Sequence, residues 1–226
     1  MKTQFITVLA SAAALCSYAG PKDDVQSAAT KLSEAACYTW TTTTTIEGSQ
    51  ASPGVTMGKA DKGGFAVISQ ERNGNTTVAV LKGDKGVVKT DSGWHTAEEL
   101  RAAAQAGGGA GGGGMRGGIL LRTTLPASDA AKLANKTVEL KAADGAIVGD
   151  LTPEGAKELL SLGRGRPGGQ APEVSNAKGS VKYWVKEGAL VKMQVNVSGT
   201  VSGRNGERDL ARTTVHEFKD VGTTKV

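Results

Sequence analysis

Histidine and cysteine are scarce in this chain of 226 residues, with two of each, and aromatic side chains make up 4% of it. The histidines, His95 and His216, are far apart, and no HExxH, CxxC, GxSxG or Gly-Lys-Ser/Thr phosphate loop accompanies them. That removes the common signatures of zinc peptidases, thiol redox proteins, serine hydrolases and P-loop enzymes. Both histidines read as structural, and neither a metal nor a cofactor is expected. Beyond the first 15 residues no run is long and apolar enough to span a bilayer as a helix.

What is present begins with MKTQFITVLASAAALCSYAG: one lysine, an uncharged apolar run from Phe5 to Leu15, then Ser17-Tyr18-Ala19. This is the three-part layout of a secretory signal peptide, so residues 1–19 are expected to be a leader cleaved after Ala19. Lipidation at Cys16 is the lesser alternative, because Leu15 stands where bacterial lipobox sequences carry glycine or alanine. The protein is therefore expected to be exported, periplasmic or secreted, with residues 20–226 as a single domain. Only Cys37 would remain, so no internal disulfide would form in an oxidising compartment, and Cys37, between Ala36 and Tyr38, reads as a buried small residue.

The formal charge of +5 is scattered and does not by itself point to nucleic acid. Arg164-Gly165-Arg166-Pro167 resembles the core of AT-hook peptides, but it occurs once, without broad basic flanks, in a chain expected to leave the cell. No nucleic-acid partner is expected.

From Asp23 to Ala36 the apolar residues Val25, Ala28, Ala29, Leu32 and Ala36 recur at helical spacing behind two aspartates. The period then changes. In YTWTTTTTIEG, Tyr38, Trp40, Thr42, Thr44 and Ile46 fall on one side of an extended chain and four threonines on the other, which predicts a strand and not a glycosylated tract. Short β-prone segments follow, separated by glycine turns. Three connections, at Lys82 to Gly86, Ala142 to Gly145 and Lys186 to Gly188, are tight enough to force antiparallel hairpins. In the last of these, Val181, Tyr183 and Val185, then Ala189, Val191, Met193, Val195 and Val197, make one apolar face opposite a wetter one.

Helical patterns supply a covering layer. Thr96 and Glu99 form a capping box before LRAAAQA, Pro126 opens a second helix, and Thr152-Pro153 opens a third containing Ala156, Leu159, Leu160 and Leu162. The glycine-rich segments at 106–118 and 163–172 read as surface loops, the first of them flexible. No βαβ rhythm is present, so the fold class is α+β and mainly antiparallel β. A long sheet with one apolar face and few, short helices suggests curvature around a cavity, with a plain filled core as the alternative.

The N-terminal amphipathic helix running into a Tyr-x-Trp strand, the interrupted meander and the closing KYWVKEGALVKMQVNVSG hairpin resemble the periplasmic lipoprotein-carrier superfamily of LolA and LppX/LprG type. The resemblance covers roughly residues 23 to 221. It implies a curved, unclosed half-barrel sheet with short helices on its concave face, enclosing an apolar chamber for acyl chains. By position, Tyr38, Trp40, Ile46, Tyr183, Val185, Val191, Met193 and Val195 would line the chamber, and Leu159 and Leu160 would belong to its lid. The carriers also lock their lid with a polar residue that has no aligned counterpart here. The expectation is a non-enzymatic binder of a lipid or acylated protein, touching membrane surfaces transiently. The alternative is an envelope interaction or scaffold module with a filled core.

Overall fold

The computed structural model describes residues 20–49, 53–72, 74–105, 117–161, 173–203 and 206–226. The leader expected at 1–19, the glycine tract through residue 116 and the RGRP motif at 164–167 lie outside the described residues.

Helix α1 (Pro21–Glu34) starts with proline in its first turn, and the Gly20 amide donates to Asp23 Oδ2 at 3.3 Å. It buries Val25, Ala28, Ala29 and Leu32, the face expected from spacing. Ala36 is not part of that face: the helix stops at Glu34, and Ala36 is exposed in the link to β1.

Among the described residues eleven strands form one antiparallel sheet. The first group is β1 (Cys37–Ile46), β2 (Val55–Asp61), β3 (Phe65–Arg72), β4 (Asn75–Lys82), β5 (Lys85–Thr90) and β6 (Gly93–Thr96). The second is β7 (Lys141–Ala143), β8 (Ala146–Asp150), β9 (Glu173–Lys186), β10 (Ala189–Gly203) and β11 (Gly206–Lys219). Their spatial order is β6-β5-β4-β3-β2-β1-β11-β10-β9-β8-β7. Each group is a run of neighbours in sequence, and the two meet where β1 pairs with β11, placing Trp40 opposite Phe218 and Thr42 opposite His216. β6 and β7 remain as free edges, so the curled sheet is an unclosed half-barrel.

The expected hairpins form for a conformational reason. Asp144 and Gly145 (φ 50° and 72°) and Glu187 and Gly188 (φ 52° and 72°) occupy the left-handed region that two-residue turns of matching twist require.

The tight closures pair Ala143 with Ala146 and Lys186 with Ala189. One part of the last hairpin departs from simple alternation. The register slips between Leu190 and Lys192, so Leu190, 1% exposed, takes the buried position and Val191 does not. A bulge adds a residue to one strand and moves what precedes it to the other face.

Three further helices follow, α2 (Ala97–Gln105), α3 (Pro126–Ala134) and α4 (Pro153–Ser161); α3 opens on Pro126 without a side-chain cap, whereas α2 and α4 are capped as their sequences require. The Thr96 amide donates to Glu99 Oε2 at 2.7 Å and the Glu99 amide to Thr96 Oγ1 at 3.2 Å, while the Gly155 amide donates to Thr152 Oγ1 at 3.1 Å. α1 packs on α3, and α1 and α4 lie against β9 and β10. Of the loop expected at 106–118, residues 117 and 118 belong instead to a helical turn, 117–120, that buries Gly117 and Leu120. A Cβ on Gly117 would lie 2.7 Å from Val88 Cγ1, so glycine there permits close packing and does not mark a loop.

The first strand's aromatics anchor the seam. Tyr38 and Trp40 are 5.6 Å apart between ring centroids, and Phe218 meets Tyr38 edge-on at 6.3 Å. Trp40 lies over Gly58 of β2, where a Cβ would come within 2.1 Å of Trp40 Cζ2. Gly58→Val is therefore expected to destabilise by about 1–3 kcal/mol, the usual range for overpacking, read as a lower urea midpoint. An unchanged midpoint would mean that the indole has room to move.

Candidate functional site

The site is set by β11. Leu210, Arg212, Thr214, His216 and Phe218 alternate onto its helix-facing side, with Leu210 and Phe218 buried. Pairing puts Arg212 between Ile46 and Val197, Thr214 between Thr44 and Val195, and His216 between Thr42 and Met193. A polar strip thus runs along the centre of the concave face, bordered on the β10 side by an apolar floor.

α3 and α4 roof this strip. Between roof and floor is a cleft of about 170 Å³ with Met193, Val195 and Val197 below and Leu133 and Leu159 above. Asp129, Lys132, Lys136 and Glu158 stand along its helix side. Two contacts fasten the roof: Arg212 Nη2 donates to the Leu159 carbonyl at 2.7 Å, and Lys136 forms an ion pair with Glu158 of α4. The first joins a sheet strand to a helix, so α4 cannot lift without breaking it.

The electrostatics follow from burial. His216 meets Thr42 through Nδ1 at 2.9 Å, and its imidazole is pulled down to about 4 because the protonated form is poorly solvated there. Asp129 accepts from Thr124 Oγ1 at 2.6 Å. Burial holds its carboxyl above the usual carboxylate range, while Thr124, Lys132 and Lys136 oppose that shift. Tyr38 is pushed up to about 12, first by burial and then by the charge of Asp129. Its hydroxyl is buried and has no hydrogen-bond partner among the described residues. Among the same residues no group of three or more His, Cys, Asp or Glu side chains is placed to hold a metal ion.

Of the residues expected at a chamber wall, Leu159, Met193 and Val195 come together at this cleft. Tyr38, Trp40, Leu160 and Tyr183 are buried in the packed core, and Ile46 is packed against it. Val185 instead borders a furrow between α1 and the β7–β8 hairpin, and Val191 sits at the register slip of β10. That furrow is larger, about 650 Å³, but it is open to solvent and rimmed by Asp24, Ser27 and Lys31 beside the small side chains Ala142, Ala143 and Ala146. The smaller cleft is the better candidate because deeply buried apolar side chains face it from both layers.

Sequence reasoning missed Arg212 and the cleft-facing role of His216. The signal was available: with Leu210 and Phe218 inward, a period of two places both polar residues on the inward face.

The class this architecture defines is an α+β half-barrel with helices laid over its concave side. No family model matches the sequence, and no curated protein does. Solved structures are similar to it, among them LprF from Mycobacterium bovis, at 11% identity and a TM-score of 0.46 over 91% of this chain and 94% of that one. Another is a LolA superfamily protein from Nitrosomonas europaea, at 10% identity and a TM-score of 0.34 over 92% and 95%.

Proposed function

We propose that this protein is an exported, non-enzymatic binder or carrier of acyl chains, taken from a lipid or an acylated protein, and that the cleft beneath α3 and α4 is where the chain enters. The observation that carries this reading is the two-layer cleft itself, with Leu133 and Leu159 facing Met193, Val195 and Val197. Each buried methylene is worth roughly 0.8 kcal/mol, so an acyl chain needs no specific polar partner to bind usefully. A cleft of about 170 Å³ is smaller than the roughly 300 Å³ at which small-molecule sites begin. Binding therefore requires α4 to move off β10, with rupture of the Arg212–Leu159 bond.

Displacement of a fluorescent fatty acid, with native mass spectrometry of protein taken from its host envelope, tests the reading. Arg212→Ala removes a charged hydrogen bond worth about 1.5–3 kcal/mol, so the opening equilibrium, and with it the apparent affinity, should rise by roughly tenfold or more. Absence of co-purified lipid, with no probe binding by either wild type or Arg212→Ala, would dismiss the carrier reading.

A second reading has one observation behind it: Tyr38, Trp40, Leu160, Tyr183 and Met193 pack the concavity closely. A filled core suits an envelope interaction or scaffold module. Deleting residues 106–116, which spares the packed turn at 117–120, separates the two, because a scaffold relying on that segment loses its partner whereas a carrier keeps its probe.

A further inference from the structure

An antiparallel sheet with helices on one face ordinarily presents a polar opposite face to water. β1, β10 and β11 obey: Thr39, Thr41, Thr43, Gln194, Asn196 and Ser198 lie on the side away from the helices. Strands β2 to β6 do not. On their outer side Val67, Val80 and Val87 pair across three neighbouring strands, a contiguous aliphatic row in partial contact with solvent. Around it stand Met57, Phe65 and Trp94, which are 45%, 40% and 50% exposed. Large apolar groups gathered on one surface mark an interaction site, unlike the same groups scattered singly.

The charge on this surface says what covers it. Lys82 is paired between Phe65 and Lys85, with its Nζ 4.5 Å from the Phe65 ring centroid, and Lys89 is paired between Val78 and Trp94. Lys59 lies beside Val67 and donates to the Lys225 carbonyl. Among the described residues none of these four lysines is in an ion pair. The acidic groups nearby are peripheral: Glu71 sits at the far end of β3, Asp61 accepts from the Phe65 amide, and Asp84 and Asp91 are in the turns. Aliphatic groups bordered by an exposed tryptophan and uncompensated lysines complement an anionic bilayer surface, where the ring settles at headgroup level and the ammonium groups meet lipid phosphates. A deformable bilayer also accommodates an outward-curved face.

We propose that the outer face of β2 to β6 docks this protein on membranes rich in anionic lipid. The proposal is independent of acyl-chain binding, since it uses the opposite side of the sheet from the cleft. Sedimentation with phosphatidylglycerol vesicles, against phosphatidylcholine vesicles, tests it. The full chain is expected to partition onto the anionic vesicles, to release at 0.5 M salt and to show a blue shift of tryptophan emission.

Lys82→Glu/Lys85→Glu/Lys89→Glu should lower that partitioning at least tenfold, and Trp94→Ala should lower it several-fold and remove most of the shift. Trp184→Ala, on β9 at the far end of the curved sheet, should leave both unchanged. All these positions lie on the outer face, so circular dichroism melts should match wild type. No partitioning onto anionic vesicles, partitioning unaffected by the triple lysine change, or concentration-dependent dimerisation abolished by Trp94→Ala would each overturn the proposal. Fatty-acid displacement should be the same in the triple variant, which keeps failure of docking distinct from failure of the carrier reading.

Discussion

Tyr183→Ala is expected to cost about 3–5 kcal/mol of folding stability, the range for removing a buried aromatic ring, and Tyr183→Phe only about 1 kcal/mol. Tyr183 is fully buried and heads the largest such side chains in the core. It pairs with Ile147 on one side and Met193 on the other, and its hydroxyl donates to the Ala130 carbonyl of α3 at 3.2 Å. One side chain therefore ties three strands to the helical layer. The ring supplies most of the stabilisation, because its removal leaves a void between two rigid layers, whereas the hydroxyl supplies a single neutral bond. Urea denaturation of both variants distinguishes these contributions. Equal losses in the two would mean that the bond to α3, not the packing of the ring, holds the layers together.

The second large effect is a loss of stability in acid that belongs to His216. Its folded value of about 4 lies below the ordinary 6.5. Above pH 6.5 both folded and unfolded chains carry it neutral, and its contribution is fully present. As pH falls from 6.5 to 4 the unfolded chain takes up a proton that the folded protein refuses, so stability declines, by at most about 3 kcal/mol at roughly 1.4 kcal/mol per unit. Asp129 acts in the opposite sense: its raised carboxyl value makes the folded state accept a proton before the unfolded one does, which offsets part of the decline. Comparing wild type with His216→Gln isolates the histidine. Thermal melts at pH 7 and pH 4.5 should show a smaller acid shift in the variant, and equal shifts would assign the effect elsewhere.

Much of the fold was legible because its local rules are strong. Two-residue turns need left-handed φ values, and Asp144-Gly145 and Glu187-Gly188 satisfy them. Thr96 with Glu99 and Thr152 with Gly155 make the caps that their spacing implies. The register slip at Leu190 was not legible, since Ala189, Val191 and Met193 alternate as well on paper as the bulged arrangement does in space. Nor was the cleft. Recognising it requires knowing that β11 lies between β1 and β10, a pairing that no local pattern specifies. The apolar outer face of β2 to β6 was hidden differently: strands apolar on both sides read as continuous runs, such as TTVAVLK, and a run does not declare which side meets solvent.

The pairing of β1 with β11 has a kinetic corollary. Most neighbouring strands within each meander are joined by short links and can zip early, the β8–β9 connection through α4 being the long one, but Trp40 reaches Phe218 only by closing a loop of well over a hundred residues. Until β11 is in place, any half-sheets already formed would each present a bare hydrogen-bonding margin where the junction forms, β1 on one side and β10 on the other. Those margins are where a stalled or truncated chain would associate with another copy, and where a chaperone would be most needed.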